Sequence, residues 1–121
     1  MKVSIIYCLF DFTRTLRHTS MASIANIRRF TDDEDYELII IDNVPKFPIR
    51  DDYKVLHLEN AQIIEHKVDI GYYASLNEGA KLAKGDYLCF IQPDIFVHEG
   101  WLKKHDFLSG EWLGVCISRP V

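Results

Sequence analysis

Two short apolar runs, Val3 to Phe10 (VSIIYCLF) and Tyr36 to Asp42 (YELIIID), flank a stretch in which Leu16, Ser20, Ile24, Ile27 and Phe30 keep helical spacing. Runs rich in β-branched and aromatic residues, with no 3.6-residue period, read as strands covered on both faces. A helix between two such strands carries the chain back to its starting edge, so the strands lie side by side and parallel. Thr13 or Thr15 is the candidate cap of that helix, which ends near Thr31-Asp-Asp-Glu.

The alternation continues. Asn43-Val-Pro-Lys-Phe-Pro48 stops the second strand, because two prolines cannot extend a ladder. Tyr53 to Leu58 reads as a third, shorter strand, and Glu59 to Ile70 carries no clear period and reads as a loop. Gly71 opens a helix over 72–84 in which Tyr73, Leu76, Asn77, Ala80 and Ala83 share one face, and Gly85 stops it. Asp86 to Ile91 follows as a fourth strand, Glu99 to Leu108 as a short helix, and Trp112 to Ile117 as a last strand. The fold class expected is α/β, a mostly parallel sheet with flanking helices in a single domain over residues 1–121.

Composition removes several functions. Fourteen Lys and Arg against 18 Asp and Glu give a net charge of -4, and no segment gathers the basic side chains that a nucleic-acid backbone requires. Cys8, Cys89 and Cys116 are odd in number, far apart, and each lies in an apolar run. They read as small buried hydrophobes rather than a disulfide framework or a metal knuckle. The N-terminal apolar run is brief, ends at Asp11 and lacks a cleavage pattern, and nowhere do eighteen apolar residues follow one another. A cytoplasmic protein with no transmembrane segment is expected.

In open α/β sheets, ligands settle outside the carboxyl ends of the strands. Phe10-Asp11, Asp42-Asn43 and Gln92-Pro93-Asp94 all fall at such ends. The Gly-x-Gly-x-x-Gly and Gly-x-x-x-x-Gly-Lys-Ser/Thr loops are absent, as are a Gly-x-Ser-x-Gly elbow and His-Glu-x-x-His, which argues against dinucleotide oxidoreductases, P-loop enzymes, serine hydrolases and zincins. The five histidines show no ligand spacing. His98 draws notice only because it lies four residues beyond Asp94.

Taken in order, Val3-Ser-Ile-Ile, Tyr36-Glu-Leu-Ile-Ile-Ile-Asp42-Asn43, Gly71 with Asn77-Glu-Gly79, Ala83-Lys-Gly-Asp-Tyr-Leu-Cys-Phe-Ile-Gln-Pro-Asp94, and Gly100-Trp101-Leu102 resemble the N-terminal half of inverting family 2 glycosyltransferases with the GT-A fold. The resemblance implies a nucleoside-diphosphate sugar, commonly a uridine one, held at the strand ends with Mg or Mn bridging the diphosphate. It assigns Phe10 to the base, as a flat apolar ring suits, with Asp11 beside it. Asp42 would accept the uracil N–H, and Asn77 matches the helix asparagine. Gln92 replaces the first acid of the Asp-x-Asp motif and keeps an amide for a ribose hydroxyl. Asp94 occupies the metal-binding position, and one carboxylate suffices when phosphates and water complete the shell.

The sequence departs from the family pattern in three places. Val44-Pro-Lys-Phe-Pro48 replaces a Ser-containing loop, Gln92 removes a negative charge, and the acceptor-binding half with its catalytic base has no counterpart before Val121. Asp106 and Glu111 are the carboxylates after Gly-Trp-Leu, and both read as belonging to a solvated helix face and a turn. The function expected is therefore glycosyl transfer, or the donor-binding part of it. The alternative is a non-catalytic GT-A-like module, and the exposed sheet edge of such a half offers a surface for a homodimer or partner subunit. A bland alternative is that Asp, Asn and Pro merely end strands. A receiver-type phosphoacceptor domain ranks lower, for want of an acidic pair after the first strand and a late Lys.

Overall fold

The computed structural model describes residues 2–10, 13–43, 46–52, 54–58, 60–104 and 115–118. Strand β1 (Val3–Leu9) is buried along its whole length. Helix α1 (Arg14–Phe30) follows, with Thr13 as its cap, the Thr13 hydroxyl accepting from the Leu16 N–H. Then come β2 (Tyr36–Asn43), β3 (Gln62–His66), α2 (Tyr72–Leu82), β4 (Tyr87–Ile91), the short α3 (Trp101–Lys104) and β5 (Val115–Ser118). The sheet order is β3-β2-β1-β4-β5. All pairings are parallel except β4 with β5, so the expected mostly parallel sheet with flanking helices is what forms.

Alternation along β1 builds a core on each face. Val3, Ile5, Tyr7 and Leu9 meet Ile24 and Ile27 of α1 together with Trp101 and Leu102. Ile6 and Cys8 meet Ile39, Ile41 and Leu88, with Leu76 and Ala80 of α2 packed against them.

The third strand is displaced from where the sequence placed it. Lys54 to His57 form turns, His57 takes the left-handed φ of 53°, and Leu56 and Leu58 cover the α1-side core from this turn. Pro48 and the 3-10 turn Ile49–Asp52 keep the chain curling here. The true β3 lies in the stretch read as a loop. As an edge strand it is only partly covered, so its apolar signal is thin.

The buried face of α2 also differs from expectation. Ser75 and Gly79 are buried while Tyr73 and Asn77 are exposed, because close approach to β1 selects the smallest side chains. Cys89 is corrected as well: it is disulfide-bonded, and the antiparallel β4–β5 register sets Cys116 opposite it, a neighbourhood that sequence separation hides. Of the two last predicted elements, residues 105–108 and 112–114 lie outside the described residues.

The amino ends of the strands are tied off. The Glu37 carboxylate accepts from the Ser4 hydroxyl at 2.5 Å and from the Lys84 and Gly85 N–H groups at 2.6 and 3.1 Å. Gly85 also donates to the Ser4 hydroxyl at 2.8 Å. The turn between α2 and β4 is thereby pinned to β1 and β2, and the opposite edge stays free for a site.

A Cβ on Gly79 would come within 2.5 Å of Ile6 Cγ2. Gly79→Ala gains up to about 1 kcal/mol of helix propensity against an overpacking cost of about 1–3 kcal/mol. The expected outcome is a net loss of stability in urea unfolding. A midpoint equal to or above that of the unmodified chain would refute the close-approach account.

Candidate functional site

Register brings the strand exits together. Leu9 pairs with Asp42 across β1–β2, and Tyr7 with Ile91 across β1–β4, so Phe10, Asn43 and Gln92 leave the sheet along one edge. A cavity of about 430 Å³ opens there. Phe10, Gln92 and Asp94, three of the residues singled out from the sequence, line it together. So do Cys8 of β1, Leu16, Thr19 and Ser20 of α1, Tyr72 of α2, and Pro93. Asp42 and Asn77 are not on this lining. Asp11 lies outside the described residues.

Asp42 is fully buried, and its Oδ2 accepts the Ile49 N–H at 2.9 Å. The carboxylate thus folds the segment after β2 back over its own strand. Asn77 stands on the exposed side of α2. Asn43 is also fully buried and donates through Nδ2 to the Ser75 hydroxyl at 2.7 Å, which in turn donates to the Gly71 carbonyl at 2.8 Å. Gly71 adopts a φ of 87°, a conformation glycine tolerates without cost, and its N–H is held by Asp69 Oδ1. These contacts fasten the first turn of α2 to the end of β2.

Beyond Asp94 the chain is strapped to α1. The Ser23 hydroxyl donates to the Ile95 carbonyl at 2.6 Å, the Asn26 side chain exchanges two hydrogen bonds with Val97, and the Trp101 indole donates to the Thr31 hydroxyl at 2.8 Å. This strap leads His98 away from the strand exits towards the far end of α1, so it does not join Asp94. Arg17, unremarked in the sequence, is buried: its guanidinium donates to the Phe47 carbonyl and pairs with Asp52, binding α1 to the segment after β2.

No Lys, Arg or His is among the described lining residues, and Asp94 is the one carboxylate there. Among the described residues, no group of three or more His, Cys, Asp and Glu could hold a metal ion by itself. Asp94 is exposed, which fits a hard cation that draws its remaining oxygens from phosphate and water. Cys8 supplies wall rather than nucleophile. Burial, and then the negative charge of Glu78, push its thiol up to about 12 from 9.0. A second hollow, about 440 Å³, lies at the C-terminal end of α1 beside Arg29, Asp32, Asp35 and Glu99. It contains none of the expected site residues.

Tyr72, Leu16, Thr19 and Ser20 were missed by sequence reasoning. The signal available was faint: Leu16 and Ser20 share the helical spacing of Ile24 and Ile27, and only the fold shows Leu16 46% exposed, while Tyr72 directly follows the glycine that opens α2.

The family model for glycosyl transferase family 2 matches residues 16–105. The chain belongs to this family. No protein with a curated description matches its sequence. Among solved structures, residues 1–349 of TarS from S. aureus share 18% identity and a TM-score of 0.61, covering 85% of this chain and 30% of that one. The same TarS segment solved with UDP-GlcNAc gives 18% identity and a TM-score of 0.61 over 85% of this chain and 29% of that chain. The mannosyltransferase PcManGT from Pyrobaculum calidifontis, solved with GDP-Man and Mn2+, gives 16% identity and a TM-score of 0.67 over 84% of this chain and 30% of that one. The fold is GT-A-like, and the family 2 chain spans under a third of these structures. Among its described residues no helix is long and apolar enough to cross a membrane.

The folded Cys8 thiol keeps its proton at pH values where the unfolded thiol ionises. Its contribution to stability is therefore constant below pH 9 and lost as pH rises from 9 towards 12. Cys8→Ala should lessen the fall in urea midpoint across that window. An unchanged alkaline slope would contradict the buried, neutral thiol.

Proposed function

We propose that this family 2 chain binds a nucleoside-diphosphate sugar, a uridine one in the first instance, at the strand-end cavity, and forms the donor-binding part of a glycosyltransferase. The observation that carries the reading is the convergence of Phe10, Gln92 and Asp94 on one cavity. An aromatic face, a neutral amide and a carboxylate suit a base, a ribose hydroxyl and a phosphate-bound cation in turn. That TarS is solved with UDP-GlcNAc and PcManGT with GDP-Man and Mn2+ adds support from proteins of similar fold.

Asp94 is the residue that would hold Mg or Mn. When bound, the cation would offset diphosphate charge and ease departure of the nucleotide. The chain's own residues do the rest: Phe10 covers the base, Gln92 orients the ribose, and the apolar walls from Leu16, Tyr72 and Pro93 exclude water. Asp42, fully buried, bonded to Ile49 and off the cavity lining, has no part in this reading beyond holding the segment after β2.

An inverting transfer also needs a base at the acceptor hydroxyl. Among the described residues the acid after Asp94 is Glu99, which lines the hollow at the other end of α1. Gln92, a neutral amide where the family motif has its first acid, supports a second reading, a donor-binding module without turnover of its own. Hydrolysis of UDP-sugar by the isolated chain would rule the inert module out.

Calorimetric titration with UDP and Mn should give binding that Asp94→Ala weakens at least about tenfold, a loss of about 1.4 kcal/mol. In EDTA the same substitution should change little. Absence of binding to UDP and GDP alike, with metal present, would sink the donor-site reading.

A further inference from the structure

We propose that Tyr72 is a base-binding residue of this site, a second aromatic wall that holds the nucleotide base against Phe10, and that Asn43 and Ser75 are the positioning residues that set it. The inference rests on the donor-site reading above and extends it to side chains that neither the resemblance nor the family match assigns.

Phe10 and Tyr72 come from different elements, the exit of β1 and the first turn of α2, and line the same cavity. Tyr72 is 38% exposed, so part of its ring is open to a ligand. The Tyr72 and Tyr73 rings make an edge-to-face pair, with centroids 5.6 Å apart. Successive aromatic faces are what a flat base requires, and stacking tolerates any base because each has a π face.

A stacking ring must also be held in place, and the chain holds this one from below. Asn43, fully buried at the end of β2, donates to Ser75, whose hydroxyl and N–H both donate to the Gly71 carbonyl. Gly71 is the residue immediately before Tyr72, and its φ of 87° sets the direction in which α2 begins. The carbonyl that receives both bonds belongs to the peptide that enters Tyr72. Asn43–Ser75–Gly71 is thus a latch from the sheet edge to the aromatic wall.

The test is calorimetric titration of UDP with Mn, and of uridine alone, into the full chain and its variants. Tyr72→Ala should weaken UDP and uridine by the same factor, about tenfold on the scale of one base stack. Tyr72→Phe should remain within about twofold of the unmodified chain, since the ring and not the hydroxyl acts. Ser75→Ala should weaken both ligands by a smaller common factor, with circular dichroism unchanged. Three results overturn the proposal: a Tyr72→Ala loss below about twofold for both ligands, a loss for UDP without one for uridine, or an unmodified chain that binds UDP and not uridine. Failure of the unmodified chain to bind either ligand instead strikes the donor-site reading, and the stacking role falls with it.

Discussion

Everything at the candidate site depends on β1 being sealed on both faces between two parallel neighbours. A strand buried along its whole length cannot slip by one residue without exchanging its two cores, so its register with β2 and β4 is strongly fixed. That register places Leu9 beside Asp42 and Tyr7 beside Ile91. The exits of β1 and β2 are then level and that of β4 comes two residues earlier, and Phe10 and the Gln92–Asp94 turn line one cavity although some eighty residues separate them in sequence. The site follows from the packing of the core rather than from any local motif.

The two ends of the sheet divide the work. At the amino ends, Glu37, Ser4, Lys84 and Gly85 satisfy one another in a compact hydrogen-bonded cluster. At the carboxyl ends the polar groups act as fasteners placed back from the cavity: Asp42 to Ile49, Asn43 to Ser75, and Ser23 and Asn26 to the strap beyond Asp94. Among the described residues, the cavity lining keeps apolar walls and one carboxylate. A diphosphate about 4 Å from that carboxylate would be repelled by about 1 kcal/mol per charge pair in water and about 4 kcal/mol near a protein surface. A divalent cation reverses the sign, so the proposed donor site calls for a metal at Asp94 when a diphosphate binds.

The parts of the fold legible in the sequence were those set by continuous burial. β1, β2 and β4 announce themselves as apolar runs, and Thr13 and Gly71 mark where the helices begin. Edge strand β3 escaped because half-covered residues such as Ile63 and Ile64 sit among Gln62, Glu65 and His66. The α2 face was misread because close approach at Gly79 places small residues inward and Tyr73 outward. Residue identity also says little about which oxygen is already spoken for: Asp42 reads as a ligand group and is used in part as a structural acceptor. Tyr72 and the Asn43–Ser75 latch depend on contacts between distant elements, and no spacing rule points to them.

The central claim is that the carboxyl-end cavity, and not the acidic hollow at the end of α1, receives a metal-bound nucleotide. Paramagnetic broadening of amide signals by Mn bound with UDP tests this directly. The account predicts selective broadening around Gln92 to Ile95, with Phe10 and Tyr72 also affected, while Thr31, Asp35 and Gly100 stay sharp. Broadening centred on Asp32, Asp35 and Glu99, or spread evenly over the chain, would contradict it.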